Sequence, residues 1–170
     1  LEMLGMHGTV YANYGVHNSD LVIGIGMRFD DRITGDTKQF CPNAKVIHID
    51  IDPAEISKNI NADIPIVGDV KNVLIELLKE VKEKKHPEWM EQVKEWKNKY
   101  PLQYTKKENE IKAQQAIEAI SRITKGEAVV ITDVGQHQMW TAQYYKFNKA
   151  GNFCSSGGAG TMGFGVPAGM

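Results

Sequence analysis

Two arginines four residues apart, flanking two aspartates, form the most chemically pointed stretch of the chain: Gly24-Ile-Gly26-Met-Arg28-Phe-Asp30-Asp-Arg32-Ile33-Thr-Gly35. Their guanidinium groups are planar forks suited to phosphate or carboxylate, the aspartates can orient them, and the glycines let a ligand approach the backbone. An Arg–Asp network that only pins a loop is the competing reading. The GxG inside this stretch lacks the full dinucleotide spacing and carries little weight alone. Further on, Asp50 ends an apolar run, where a carboxylate following a glycine-rich corner suits the hydroxyls of a ribose. Asp52, just before Pro53, suits the cap of a helix to follow. Gly68-Asp69-Val70 again sets an acid beside backbone with room for a ligand. Near the far end, Gly135-Gln136-His137-Gln138 could hold a phosphate or diphosphate through backbone amides and a neutral imidazole, or could simply cap a helix. In the glycine-dense run Gly157-Gly-Ala-Gly160-Thr-Met162-Gly-Phe-Gly-Val-Pro167, Met162 suits either a core position or an apolar prop against a ring.

These corners need elements that bring them to one edge. Short apolar runs read as strands at Leu21–Ile25, Val46–Asp50, Ile64–Val67 and Ala128–Thr132. Helical spacing marks Val10–Val16, Ala54–Ile60, Lys71–Val81, the stretch after Pro87 that presents Trp89, Val93, Trp96 and Tyr100, and Gln114–Ile123, which Gly126 stops. Such alternation predicts an α/β fold with an open, doubly wound parallel sheet, and ligands in such sheets bind at the carboxyl ends of the strands. A second domain starts at the strand near Val129. Between the two lies a lysine- and glutamate-rich stretch whose charges read as the wet face of linking helices.

Composition bounds the rest. The 170 residues carry 20 basic and 21 acidic side chains, so no strongly basic face favours nucleic acid. With 42% hydrophobic residues the chain can build a core, and no run approaches the roughly 18 apolar residues that span a bilayer. Cys41 and Cys154 lie far apart with no CxxC and no histidine at ligand spacing, which predicts reduced, idle thiols and no zinc. A start at Leu1 and a stop at Met170 inside a glycine-rich run lead us to expect a segment of a longer protein, so targeting sequences cannot be judged.

Taken in order, Gly5-Met6-His7-Gly8, the Gly26–Gly35 motif, Gly135-Gln-His-Gln-Met-Trp140 and Gly157–Pro167 resemble the catalytic subunits of the acetolactate synthase (acetohydroxyacid synthase) family, over nearly the whole chain. The Gly26–Gly35 motif belongs to the flavin-dependent biosynthetic branch, and so disfavours other thiamine enzymes such as glyoxylate carboligase or pyruvate oxidase. The resemblance implies that residues 1–85 are the C-terminal part of an FAD-binding middle domain, 86–112 a helical charged linker, and 113–170 the N-terminal part of a thiamine-diphosphate-binding domain. It implies that Met6, His7, Gly26, Arg28, Asp30, Arg32, Ile33, Asp50, Gly68, Asp69 and Val70 contact FAD. Arg32 would also hold the carboxylate of the second 2-keto acid. Gln136 and His137 would hold the diphosphate of thiamine diphosphate, with Gly160 and Met162 supporting its aminopyrimidine.

The family reaction decarboxylates pyruvate on thiamine diphosphate and joins the two-carbon unit to a second pyruvate or to 2-oxobutanoate, in branched-chain amino-acid biosynthesis. The flavin makes no net redox contribution. By the same resemblance, the activating glutamate and the magnesium ligands lie outside these 170 residues, so no catalytic residue and no metal ligand is expected within them. The isolated segment is expected to be inactive and aggregation-prone. The resemblance further implies a cytoplasmic homodimer or homotetramer, with a possible regulatory small subunit. A flavin-binding piece without carboligase activity is the reading from another functional class.

Overall fold

The computed structural model describes residues 1–170, which divide into two compact units, Leu1–Pro101 and Leu102–Met170. In the first unit, α1 (Val10–His17), β1 (Leu21–Ile25), α2 (Asp31–Thr34), β2 (Lys45–Asp50), β3 (Ile64–Val67), α3 (Val70–Glu80) and α4 (Pro87–Lys99) follow in order. The strands form one parallel sheet in the order β1-β2-β3, with Ile25 opposite Ile49 and Asp50 opposite Val67. Parallel pairing points all three carboxyl ends to the same edge, and two hydrogen bonds knit that edge. Gly26 N–H donates to the Ile49 carbonyl and Gly68 N–H to the Asp50 carbonyl, both at 2.9 Å.

Local signals account for most element ends. Thr9 caps α1 by accepting from Ala12 N–H at 3.2 Å, and Asn18 ends it by donating to the Tyr14 carbonyl at 2.8 Å. Asp69 caps α3 by accepting from Asn72 N–H at 3.1 Å, and Pro87 opens α4, where its missing N–H costs nothing. The expected helix over Ala54–Ile60 does not form; these residues make a run of turns. Asp52 caps the first of those turns rather than a helix, accepting from Ala54 N–H at 2.9 Å. Ser57 adopts a left-handed φ of 58°, and its hydroxyl accepts from Ala62 N–H at 3.1 Å. Such local side-chain bonding draws Ser and Asp away from helices.

The core of this unit gathers Phe29, Cys41, Val46 and Ile60, with Val22, Met27 and Phe40 packed against them. Phe29 is 1% exposed and meets the buried His48 ring edge-on at 4.9 Å, while His48 Nε2–H donates to the Met27 carbonyl at 2.8 Å. Gly24 exists for this ring, since a Cβ there would lie 2.4 Å from Phe29 Cζ. The first glycine of the GxG therefore makes space for the protein's own aromatic rather than for a ligand. Gly24→Ala is expected to destabilise the folded subunit by about 1–3 kcal/mol through overpacking. A lower urea midpoint checks this, and an unchanged midpoint would show that Phe29 relaxes freely. Elsewhere in this unit α4 docks on α1 through a run of edge-to-face rings, Trp89 to Trp96 to Tyr14 to Tyr100, with centroids 5.6–5.8 Å apart.

In the second unit, α5 (Ala113–Ile123), β4 (Val130–Thr132), α6 (Gln136–Tyr144), β5 (Phe153–Ser155) and α7 (Gly165–Gly169) follow, with β4 and β5 paired in parallel. The predicted strand over Ala128–Thr132 begins at Val130. Gly126 stops α5 at φ 70°, where a Cβ would lie 2.2 Å from the Lys146 carbonyl oxygen. The fold is α/β with parallel sheets in both units, as the alternating pattern predicts.

Candidate functional site

The first unit gathers its strand-end residues into one surface. Gly26, at φ 58°, has open space where a Cβ would stand, and it sits beside Asp50 and Gly68 on the carboxyl edge. Asp50 Oδ1 accepts from Asp52 N–H at 2.9 Å, so part of this carboxylate shapes its own turn. Asp69 likewise spends one oxygen on the α3 cap, immediately before Val70 opens that helix.

Above β1, the two arginines behave differently. Arg28 is committed: its Nε and Nη2 donate to Asp30 Oδ2 at 3.0 and 2.9 Å. Asp30 also caps α2 by accepting from Arg32 N–H at 3.1 Å, so it is the anchor of the whole turn. Arg32 touches only Asp31 through Nη1 at 3.1 Å, with both side chains about two-thirds exposed or more. An exposed pair of this kind holds its partners weakly, which leaves the Arg32 fork able to swing to a better anion.

The Met6–His7 turn is fastened to the same place. Met6 N–H donates to the Arg32 carbonyl at 2.8 Å, and Gly5 packs so tightly there that a Cβ would lie 2.5 Å from that oxygen and 3.0 Å from Ile33 Cα. Gly5 sits at φ 94° and is gripped by Asn13, whose Oδ1 accepts from its N–H at 2.9 Å while Nδ2 donates to its carbonyl at 3.0 Å. Met6 is 65% exposed, an apolar side chain left out of the core beside this turn. Asn59 braces the loop from below by donating to the Arg28 carbonyl at 3.0 Å. Asn13 and Asn59 thus position site residues, and neither carries a sequence signal beyond being a polar residue.

The second unit repeats the plan at the end of β4. There α6 begins at Gln136 and His137, both exposed, after Gly135 at φ 154°; a Cβ on Gly135 would press on the His137 ring at 3.2 Å. Gln138 ties this helix to β5 by donating to Ser155 Oγ at 2.7 Å. Met162, 86% exposed, stands between Gly160 at φ 67° and Gly163 at φ 76°. Asp133, which sequence inspection passed over, accepts from Gly163 N–H at 2.8 Å and from Gly165 N–H. Those backbone donors hold its carboxyl below the usual carboxylate range. A carboxyl with a lowered pKa contributes its stabilisation above the unfolded pKa and loses it as pH falls through the folded one, so this clamp is fully formed at neutral pH.

The donor sets suit two organic cofactors. Strand-end carboxylates, an open glycine corner and a loose guanidinium fit a dinucleotide, and a helix start with an amide and an imidazole fits a diphosphate. No group of three or more His, Cys, Asp or Glu side chains converges as a metal site. Nor is any helix long and apolar enough to cross a membrane.

Comparison with known proteins supports thiamine diphosphate. Residues 1–77 match the family model described as thiamine pyrophosphate enzyme, central domain, and residues 133–170 match the C-terminal TPP binding domain of the same enzymes. The chain is 51% identical over 174 residues to the acetolactate synthase large subunit of Buchnera aphidicola subsp. Schizaphis graminum, covering 100% of this chain and 30% of that protein. It is 53% identical over 176 residues to the large subunit of Haemophilus influenzae, covering 100% and 31%. Against the chloroplastic acetolactate synthase 1 of Zea mays, identity is 47% over 174 residues, covering 99% and 27%. The chain therefore spans about a third of the length of these relatives.

Proposed function

The chain belongs to the thiamine pyrophosphate enzymes, and from that premise we propose that it is part of an acetolactate-forming carboligase. The reaction joins two pyruvates, or pyruvate and 2-oxobutanoate, with loss of CO2, in the service of branched-chain amino-acid synthesis. The observation that carries this reading is identity near 50% with acetolactate synthase large subunits over the entire chain.

In this proposal FAD lies across the carboxyl edge of the first unit. Gly26, Asp50, Gly68, Asp69 and Val70 meet it from the strand ends; Arg28, Asp30, Arg32 and Ile33 line it, and Met6 and His7 cover it. Gln136 and His137 bind the diphosphate of thiamine diphosphate, while Gly160 and Met162 support its ring. When bound, thiamine diphosphate supplies the electron sink for decarboxylation, and the protein contributes orientation and charge. Arg32 steers the acceptor keto acid by gripping its carboxylate, a task for which its weak tie to Asp31 leaves it available. The donors present here do not fit magnesium, since no three carboxylates, imidazoles or thiols converge.

We place the complete protein in the cytoplasm as a self-associating subunit, homodimer or homotetramer, open to a regulatory small subunit. The test is the complete subunit supplied with pyruvate, thiamine diphosphate, magnesium and FAD. Acetolactate formation is the expected result. Retention of flavin without acetolactate would replace the proposal with a non-catalytic flavin-binding role.

A further inference from the structure

The thiamine side of the chain presents Met162 in an unusual way. A methionine side chain gains about 1.5–3 kcal/mol on full burial, yet this one is held out at 86% exposure. The backbone on both sides of it is fastened. Before it, Gly160 N–H donates to the Ser156 carbonyl at 2.7 Å, and the Ser156 hydroxyl bonds Thr161 Oγ1 at 2.9 Å. After it, the two carboxylate oxygens of Asp133 take the amides of Gly163 and Gly165. The approach is close enough that a Cβ on Gly165 would stand 3.0 Å from Asp133 Oδ1 and 3.1 Å from its backbone nitrogen.

Asp133 also has a fixed place relative to the diphosphate donors. It follows β4 directly, three residues before Gln136, and Thr132 beside it, the last residue of the strand, is buried. One carboxylate is therefore joined by covalent chain to Gln136 and His137, and by paired hydrogen bonds to the turn that carries Met162. We infer that Asp133 is a positioning residue, setting Met162 at the distance from Gln136 and His137 that thiamine diphosphate requires. The inference rests on the thiamine reading of this site given above. It adds a residue that touches no cofactor atom itself and acts through the two groups it spaces.

The chemistry needs both oxygens. A neutral carboxamide offers one acceptor and places an NH2 against the other backbone donor, so Asp133→Asn releases one side of the clamp with almost no change of volume. The test is calorimetric titration of thiamine diphosphate, with magnesium, into the complete FAD-loaded subunit. Asp133→Asn is expected to raise the dissociation constant tenfold or more. Flavin content should stay near wild type, and the cofactor-free melting temperature should fall by no more than a few degrees, too little for unfolding to account for a tenfold loss of affinity. Asp133→Glu, which keeps both charged acceptors on a longer stem, should recover part of the affinity. Gly165→Ala gives an independent route, because its methyl group pushes on Asp133 without changing the carboxylate, and the same loss is expected. Wild-type affinity in both Asp133→Asn and Gly165→Ala would overturn the inference, as would a loss matched by an equal fall in flavin content and melting temperature. Failure of the wild-type subunit to bind thiamine diphosphate at all would instead strike the thiamine reading beneath it.

Discussion

Gly5→Ala in the complete subunit is expected to strip the protein of most of its flavin. The methyl group would arrive 2.5 Å from the Arg32 carbonyl oxygen and 3.0 Å from Ile33 Cα, contacts made by backbone that cannot rotate aside. The residue would also have to hold φ at 94°, where L side chains are strained. A left-handed conformation costs roughly 1–3 kcal/mol and overpacking a similar roughly 1–3 kcal/mol, so the two together come to about 2–6 kcal/mol. The Asn13 clamp holds Gly5 from behind at both its N–H and its carbonyl, so the strain is relieved at the Met6–Arg32 bond instead. That bond joins the cover of the proposed flavin site to its lining. The measurement is the 450 nm absorbance retained per subunit after gel filtration. Wild-type flavin content in Gly5→Ala would show that the Met6 turn is not part of the site.

Arg32→Ala is expected to lower kcat/KM for the acceptor keto acid by about two orders of magnitude or more. A hydrogen bond to a charged group is worth about 1.5–3 kcal/mol, and a fork makes two of them to one carboxylate. Each 1.36 kcal/mol of lost transition-state binding is about tenfold in rate. Arg32→Lys keeps the charge without the fork and should fall between the two. Little is lost in the fold, since the Arg32–Asp31 pair is solvent-exposed and the α2 cap uses the Arg32 backbone rather than its side chain. Because Arg32 also lines the proposed flavin site, Arg32→Ala should lose part of its flavin, and kcat/KM is read per bound flavin, whereas Gly5→Ala should lose most of it. Unchanged kcat/KM in Arg32→Ala would remove Arg32 from the substrate site.

The sheet was legible because β-branched runs bounded by glycine and aspartate permit few alternatives: Leu21–Ile25 and Ile64–Val67 match their strands end for end. Val10 and Lys71 likewise lie within a residue of true helix starts, each preceded by a side chain able to cap. Ala54–Ile60 misled because its apolar spacing is helical while Asp52 and Ser57 spend their side chains on turns. The short β5 and α7 gave too few residues to show a period at all. At the site, residue types could be read from the sequence but not their commitments. Arg28 and Arg32 look alike as letters, and only the geometry separates the pinned fork from the loose one. Asp133 and Asn13 were invisible for a related reason. Each acts on the backbone of glycines distant in sequence or a turn away, and a backbone amide leaves no mark in a side-chain pattern.

The aromatic run between α1 and α4 decides how the chain would come apart under digestion. Lys82, Lys84 and Lys85 lie in the irregular stretch before α4, and Lys106, Lys107 and Lys112 in the one after it, so trypsin finds open cleavage sites on both flanks. The helix between them should nonetheless stay with the first unit after both cuts, as a nicked and noncovalent complex, because Trp89, Trp96, Tyr14 and Tyr100 interlock without help from the peptide bonds that were lost.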